Sequence, residues 1–385
     1  MAGKALLTGD DNTGIGSKAL FSILGSDSTA VGANAGRYTT GSYNTFVGSQ
    51  AGLGGTTSAP YSSGVHNVAL GYNALVAFTT GEQNVAIGSS AASNLTTGVY
   101  NTIVGNGAQS GTTGVNNTMI GRAAGASMTT AQKITAVGAT TFNYLTVATD
   151  STAIGYDAGE YATGSYNTFV GSEAGQGGTT SAPYSSGEYN VAVGYQALKS
   201  FTTAYRMVAI GYEAMTDVKD GQDSVAIGYQ AAYYNSSSYS VSIGKGAGMV
   251  MGGGYNVSVG FGAGGSASNS NVAIGQRAMG LQPAANENVA VGSVAGSNLI
   301  GGFTAIVGAQ AGRHATGSYN TFMGYKAGYG SITSAPFSSG QENTAMGYQA
   351  LTNFTTGGSN TAMGRKALED VTSGGYNVAV ETKLG

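Results

Sequence analysis

The chain has 385 residues, 66 of them glycine and none cysteine, with 15 basic and 18 acidic side chains and a net charge of −3. This charge balance offers no basic stripe to neutralise phosphates, which argues against nucleic-acid binding. No disulfide can staple the fold, and no apolar run approaches the roughly 20 residues that a membrane-spanning helix needs, so no membrane insertion is expected.

In chain order, residues 1–11 form a lead-in. Its apolar part is too short for a signal peptide, so an extracellular location is expected to be reached by release in a virus particle. From Asn12 onward one motif returns about every 16 or 17 residues, seen most clearly in Asn44-Thr-Phe-Val-Gly-Ser-Gln-Ala-Gly52. It reads Asn or Ser, Thr or Val, a mostly small residue, an apolar residue, Gly, two variable positions, then Ala. Its glycines run from Gly16, Gly32, Gly48 and Gly71 to Gly364, and the last copy, Asn377-Val-Ala-Val-Glu381, has lost its own. A disordered low-complexity segment has no reason to keep an apolar residue before every such glycine. Self-similarity at a fixed period signals a repeat architecture.

Within a copy, β-branched residues alternate with a small one over four positions, which predicts a short strand. The glycine ends it, as a corner of positive φ or a point of close backbone approach. A second short strand is expected over the Ala and the residue after it, followed by a polar turn such as Thr79-Thr-Gly81 or Ala162-Thr-Gly164. Few segments free of glycine reach helix length, which sets aside a helical repeat array. The predicted fold is all-β, a parallel β-solenoid (β-roll) of about 22 coils of 15–17 residues, continuous over 12–385.

The larger apolar residues before the glycines (Ile15, Val47, Ile87, Ile154, Ile227, Ile274 and Met346) are expected inside the coil. The alanines between them (Ala86, Ala153, Ala209, Ala226, Ala273) are expected on the opposite face, packed on sister chains or on a second sheet of the same chain. The most regular polar residue is the Asn heading most copies, read as a ladder of stacked amides along the coils.

Three spacings, after Gly48, Gly171 and Gly324, are 23 residues long. They hold near-identical inserts at 53–66, 176–189 and 329–342, and the coil before each carries Phe (Phe46, Phe169, Phe322) in the usually small position. Proline fixes its own φ and restricts the residue before it. The inserts are therefore predicted to leave the coil stack as ordered projections, with Pro60, Tyr61, Pro183, Tyr184, Pro336 and Phe337 as candidate partner-contact residues. The alternative is a clasp between neighbouring chains, anchored near the three Phe.

Little else suggests chemistry. His66 and His314 have no local Ser or carboxylate constellation. The carboxylates Asp150, Asp157 and Glu160, and Glu213, Asp217, Asp220 and Asp223, read as a solvated outer turn more readily than as a glycosidase pair. No catalytic, cofactor or metal residues are predicted, and no enzyme. Tyr directly after the glycine (Tyr72, Tyr156, Tyr195, Tyr212, Tyr229, Tyr325, Tyr348) suits either stacking between coils or contact with sugars.

The repeats in Asn84-Val-Ala-Ile-Gly88, Ser151-Thr-Ala-Ile-Gly155 and Asn343-Thr-Ala-Met-Gly347-Tyr-Gln-Ala-Leu351 resemble the head repeats of trimeric autotransporter adhesins. With their Thr-Thr-Gly turns they are more similar still to repeats of bacteriophage tail-fibre proteins. The resemblance implies a bundled homotrimer, a rod in a virion beside other virion proteins, that attaches to a host-surface glycan or protein. The sequence departs from the adhesins in showing no coiled-coil stalk or membrane anchor, and from many phage fibres in showing no C-terminal chaperone domain. Two other readings stay open. One is a subunit of a self-assembling extracellular filament. The other is an ice-binding solenoid, against which Thr alternates with Val on the presumed inner face.

Overall fold

The computed structural model describes residues 9–55, 61–109, 111–178, 184–234, 238–250, 252–264, 268–280, 286–331 and 337–381. Among them every regular element is a three-residue strand, 22 in all, and there is no helix. The chain divides into two compact units, Met1–Ala204 and Tyr205–Gly385. The first holds the strands from Thr13–Ile15 to Val191–Val193, the second those from Val208–Ile210 to Val378–Val380. In each unit every strand pairs in parallel with the strand one coil further on. The coil of Gly48 shows the register, with Thr45 opposite Val68, Phe46 opposite Ala69 and Val47 opposite Leu70. The longer spacing after Gly48 leaves this register intact. The architecture is a parallel β-solenoid.

Each coil turns at its glycine for two reasons that act together. Gly48 has φ of 131°, and a Cβ there would lie 2.5 Å from the carbonyl oxygen of Gly71 in the next coil. That oxygen belongs to backbone, so it cannot yield as the end of a side chain could. The stretch after the glycine is not the second strand that the alternation suggested. It is a run of turns in which Gln50 (φ 59°) and Gly52 (φ 54°) adopt left-handed conformations. Its hydrogen bonds still point along the stack, as from the Gly52 N–H to the Ala74 carbonyl at 2.9 Å.

This path reverses the expected faces of the strand. The central residue points inward, and Ala86, Ala153, Ala209, Ala226 and Ala273 are essentially without exposed surface. The residues before the glycines point outward: Ile15 is 60% exposed, Ile154 41%, and Ile227 and Ile274 38% each, while Val47, Ile87 and Met346 are half-buried. The reason is width. A coil with one short strand closed by tight turns has a narrow interior, and the strand's Ala must share it with the Ala three residues after the glycine, also fully buried at Ala51, Ala74 and Ala91. Of the two alternatives for the Ala face, packing within the same chain is the one realised, and the seven apolar positions expected inside are corrected to the outer face.

The larger core groups come from positions four and seven after the glycine, such as Leu75 and Phe78, or Leu351 and Phe354. Volume is exchanged between the strand centre and position four. Where the strand carries Ala69, Ala192 or Ala345, position four is Leu75, Leu198 or Leu351; where it carries Phe46, Phe169 or Phe322, position four is Gly52, Gly175 or Gly328. A Cβ on any of these three glycines would lie 2.3 Å from the Phe ring of its own coil. The Phe rings then meet Phe78, Phe201 and Phe354 of the following coil at 5.7 Å each, in tilted geometry. The coils of Gly244 and Gly260 are small at both positions, with Ser242 and Ser258 at the strand centre and Gly248 and Gly264 at position four. The Ser242 hydroxyl is buried there with no hydrogen-bond partner among the described residues.

The Asn ladder is present, bonded more to backbone than to itself. Asn67 Oδ1 accepts from the Asn84 backbone N–H at 3.0 Å, and Asn67 Nδ2 donates to the Gly81 carbonyl at 2.9 Å. Direct amide–amide bonds add to this, as from Asn84 Nδ2 to Asn67 Oδ1 at 3.1 Å. Where Ser heads a coil its hydroxyl takes over the acceptor role, as Ser28 does for the Asn44 N–H at 3.2 Å. Buried backbone groups left between the turns are thereby satisfied.

Candidate functional site

The residues singled out by sequence converge on the three insert bases. Pro60, Pro183 and Pro336 lie outside the described residues. Tyr61, Tyr184 and Phe337 are described and half-buried. Each sits directly before a serine that brings the chain back to the stack. Ser62 pairs in parallel with Thr39, Ser185 with Ala162 and Ser338 with Ala315. The serine hydroxyl closes the base. Ser62 Oγ donates to the Phe78 carbonyl at 2.7 Å and accepts the Gly55 N–H at 3.0 Å. Ser185 and Ser338 repeat this with the carbonyls of Phe201 and Phe354 at 2.6 and 2.5 Å. Sequence reading missed these serines; their signal was the Ser-Ser-Gly that follows every insert aromatic.

The three aromatics lie back on the coils that precede their own. Tyr61 stacks on Tyr38 at 6.0 Å, Tyr184 contacts Tyr144 and Tyr161 at 5.0 and 6.1 Å, and Phe337 lies 5.4 Å from His314. Burial holds the Tyr161 hydroxyl up at about 12, with Glu160 beside it adding to the shift. Part of each ring's surface stays exposed.

His314 supplies a pH prediction. Its Nδ1 lies 2.9 Å from Asn298 Nδ2 and accepts from it in the neutral ring. Burial first, and the Arg313 charge second, hold its pKa below the ordinary 6.5. A histidine depressed in the folded state contributes stability above the unfolded value and loses it as pH falls through the folded one. Thermal stability should therefore decline as the pH falls below the ordinary histidine value of about 6.5, and less so in His314→Gln. Equal slopes in the two proteins would remove His314 as the cause.

A second aromatic ladder runs along the residue before the heading Asn, held at positive φ. Tyr43 stacks on His66 at 4.8 Å, Tyr166 on Tyr189 at 4.7 Å, Tyr239 on Tyr255 at 5.0 Å and Phe303 on Tyr319 at 5.3 Å. The tyrosines after the glycines stack similarly, Tyr212 on Tyr229 at 5.1 Å and Tyr325 on Tyr348 at 5.5 Å. Their outer surfaces stay exposed.

The carboxylates serve neighbouring coils. Asp150 pairs with Lys133 at 3.4 Å and Asp223 with Arg206 at 2.6 Å. The Thr149 hydroxyl, then Lys133, hold Asp150 below the usual carboxylate range, whereas burial raises Glu160, which accepts from Gln176 at 3.0 Å. Asp157 bonds the Thr140 hydroxyl. Among the described residues no group of three or more His, Asp or Glu is placed to hold a metal ion.

The most extensive feature is the outward strand face. In the second unit the in-register pairing sets Ile210, Ile227, Ile243, Val259 and Ile274 in one column. Beside it Val208, Val225, Val241, Val257 and Val272 form a parallel one. The first unit carries the same pair of columns with Thr more often in the second. Compared with known proteins, the sequence matches no protein-family model and no curated protein.

Proposed function

We propose that the chain is a non-enzymatic fibre protein whose outward strand faces pack together in a homotrimer, forming a rod for attachment to a host surface. The observation that carries this is the apolar double column. Isolated soluble chains rarely leave so continuous an apolar surface in water, and burying it at about 25 cal/mol per Å² is strongly favourable. Sister chains of the same sequence present the same columns at the same coil spacing, so they match without further adjustment. The number three, and the place in a phage particle beside other virion proteins, come from the resemblance of the repeats to tail-fibre and adhesin heads. In this reading the insert aromatics and the exposed tyrosines face outward on the remaining sides, available to a glycan or protein of the host.

The ice-binding reading gains from the reversal of faces, because the Thr positions are outward after all. It then meets a different obstacle: from Val208 to Val289 that position is Val in every coil, so no regular hydroxyl lattice runs through the second unit.

Native mass at micromolar concentration tests the proposal. A mass of three chains is expected, with Ile154→Lys and Ile227→Lys together giving single chains that keep the far-ultraviolet spectrum of the parent. Side chains already so exposed in one chain should cost it less than about 1 kcal/mol when changed. A parent mass of one chain sinks the trimer, and a mass that grows with concentration favours the filament.

A further inference from the structure

One concavity of about 510 Å³ lies in the second unit, on the turns after the glycines rather than on the strand face. Its floor is made by Gly246 and Gly262, each two residues after its coil's glycine. At that position the flanking coils carry side chains, Gln230 before and Arg277 after, in the same left-handed backbone (φ 51° for both). The backbone therefore does not demand glycine there. Nor does packing: a Cβ on Gly262 would approach only Arg277 Cγ, at 3.8 Å, and one on Gly246 only the mobile tip of Met249, at 3.3 Å. What the two glycines do is interrupt a ladder of side chains over two successive coils and leave a trough.

The walls carry a specific chemistry. Lys245, Arg277 and Arg313 line the trough, and none of the three forms an ion pair with a carboxylate among the described residues. No lining residue is acidic. On the coil before that of Gln230, Glu213 accepts from Gln230 Nε2 at 2.7 Å. Phe261 lies between the cations, 44% exposed, with Lys245 Nζ at 5.9 Å and Arg277 Cζ at 5.8 Å from its ring centre. Lys245 Nζ also lies 5.3 Å from the ring of Tyr229. Met249 and Val294 complete an apolar lining.

The three cations belong to the coils of Gly244, Gly275 and Gly308, each two coils beyond the last. At about 4.8 Å per coil they advance by about 10 Å along the stack. That matches the advance of a disaccharide in an extended chain, so carboxylates on alternate sugars would meet Lys245 and Arg277, one and two residues after their glycines, and then Arg313, which reaches the trough from five residues after its own. Guanidinium groups suit carboxylates because they offer two parallel donors. An exposed ring between them offers an apolar face to a sugar ring.

We propose that this trough binds an acidic polysaccharide carrying carboxylates on alternate sugars, with Lys245, Arg277 and Arg313 holding the carboxylates and Phe261 a sugar face. The site extends the attachment reading to a defined ligand class and lies off the strand columns, so it does not depend on the chain being trimeric.

The test is calorimetric titration of the full chain with an oligosaccharide alternating a hexuronic acid with a neutral sugar. The controls are the same oligosaccharide after carboxyl reduction and a single-stranded oligonucleotide of equal length. Saturable binding is expected, weakened by added salt, and at least tenfold weaker for the carboxyl-reduced form. Gly246→Gln with Gly262→Gln refills the trough without replacing a cation, in a backbone conformation that Gln230 already adopts. It should weaken binding at least tenfold with an unchanged melting temperature. Arg277→Gln with Arg313→Gln should do the same. Absence of binding at millimolar oligosaccharide, binding that both double variants retain, or equal affinity for the oligonucleotide would each overturn the proposal. A chain that binds as a monomer would leave the trough standing and the trimer fallen.

Discussion

Phe169→Ala will lower the unfolding free energy by about 3–5 kcal/mol, and adding Gly175→Leu to it will return a large part of that loss. Phe169 is fully buried, between Phe142 at 6.1 Å and Phe201 at 5.7 Å, so truncation opens a cavity that the narrow coil cannot collapse around. The double variant reproduces the pair already present one coil further on, Ala192 with Leu198. Leucine is tolerated at that backbone because Leu198 itself has φ of 51°, close to the 54° of Gly175. Gly175→Leu alone will destabilise, since its Cβ would lie 2.3 Å from Phe169 Cδ1. Denaturation midpoints of the three variants decide the matter. If the double variant loses the sum of the two single losses, the exchange of volume between these positions is not what packs the coil.

Asn84→Ala will cost about 2–6 kcal/mol, because it strands two buried backbone groups at about 1–3 kcal/mol each. The Asn101 N–H loses Asn84 Oδ1 at 3.0 Å, and the Gly98 carbonyl loses Asn84 Nδ2 at 2.9 Å. Asn84→Ser will cost less than Asn84→Ala, because serine keeps the acceptor, as Ser151 does for the Asn167 N–H at 3.1 Å. Amide exchange at Asn101 should accelerate in the same order. An Ala variant within about 0.5 kcal/mol of the parent, the range of an ordinary surface change, would show that water or a shifted carbonyl replaces the amide.

The path of the chain was legible because its strongest constraints are backbone constraints. The corner glycines and the heading Asn answer to atoms of the next coil, so they recur at fixed spacing whatever the side chains between them do. The facing of the strand was not legible. Burial normally ranks Ile and Val above Ala, and the sequence between Asn84 and Gly88 offers nothing local to reverse that order. The reversal follows from the narrowness of the coil, which is set by the turns after the glycine, a segment whose alternation suggested another strand. The inserts were visible as extra length, but the groups that seal them, Ser62, Ser185 and Ser338, pair with residues more than a dozen positions away. The trough was hidden for a different reason. In a chain this rich in glycine, Gly246 and Gly262 look like two more, and only their neighbours on adjacent coils, Gln230 and Arg277, show that something has been left out.

The strand hydrogen bonds of the stack join one coil to the next, and this has a mechanical consequence. A load pulling the two ends of either unit apart acts on the bonds of successive coils in series. Each coil is held only by its neighbours, as in other repeat arrays, so the outermost one yields first and the rest remain folded. One coil releases about 16 residues, roughly 50 Å of extended chain, in exchange for a stack shortened by about 4.8 Å. A stretched molecule therefore gives way in many small steps rather than at one rupture, and the steps across the three inserts should be the longest.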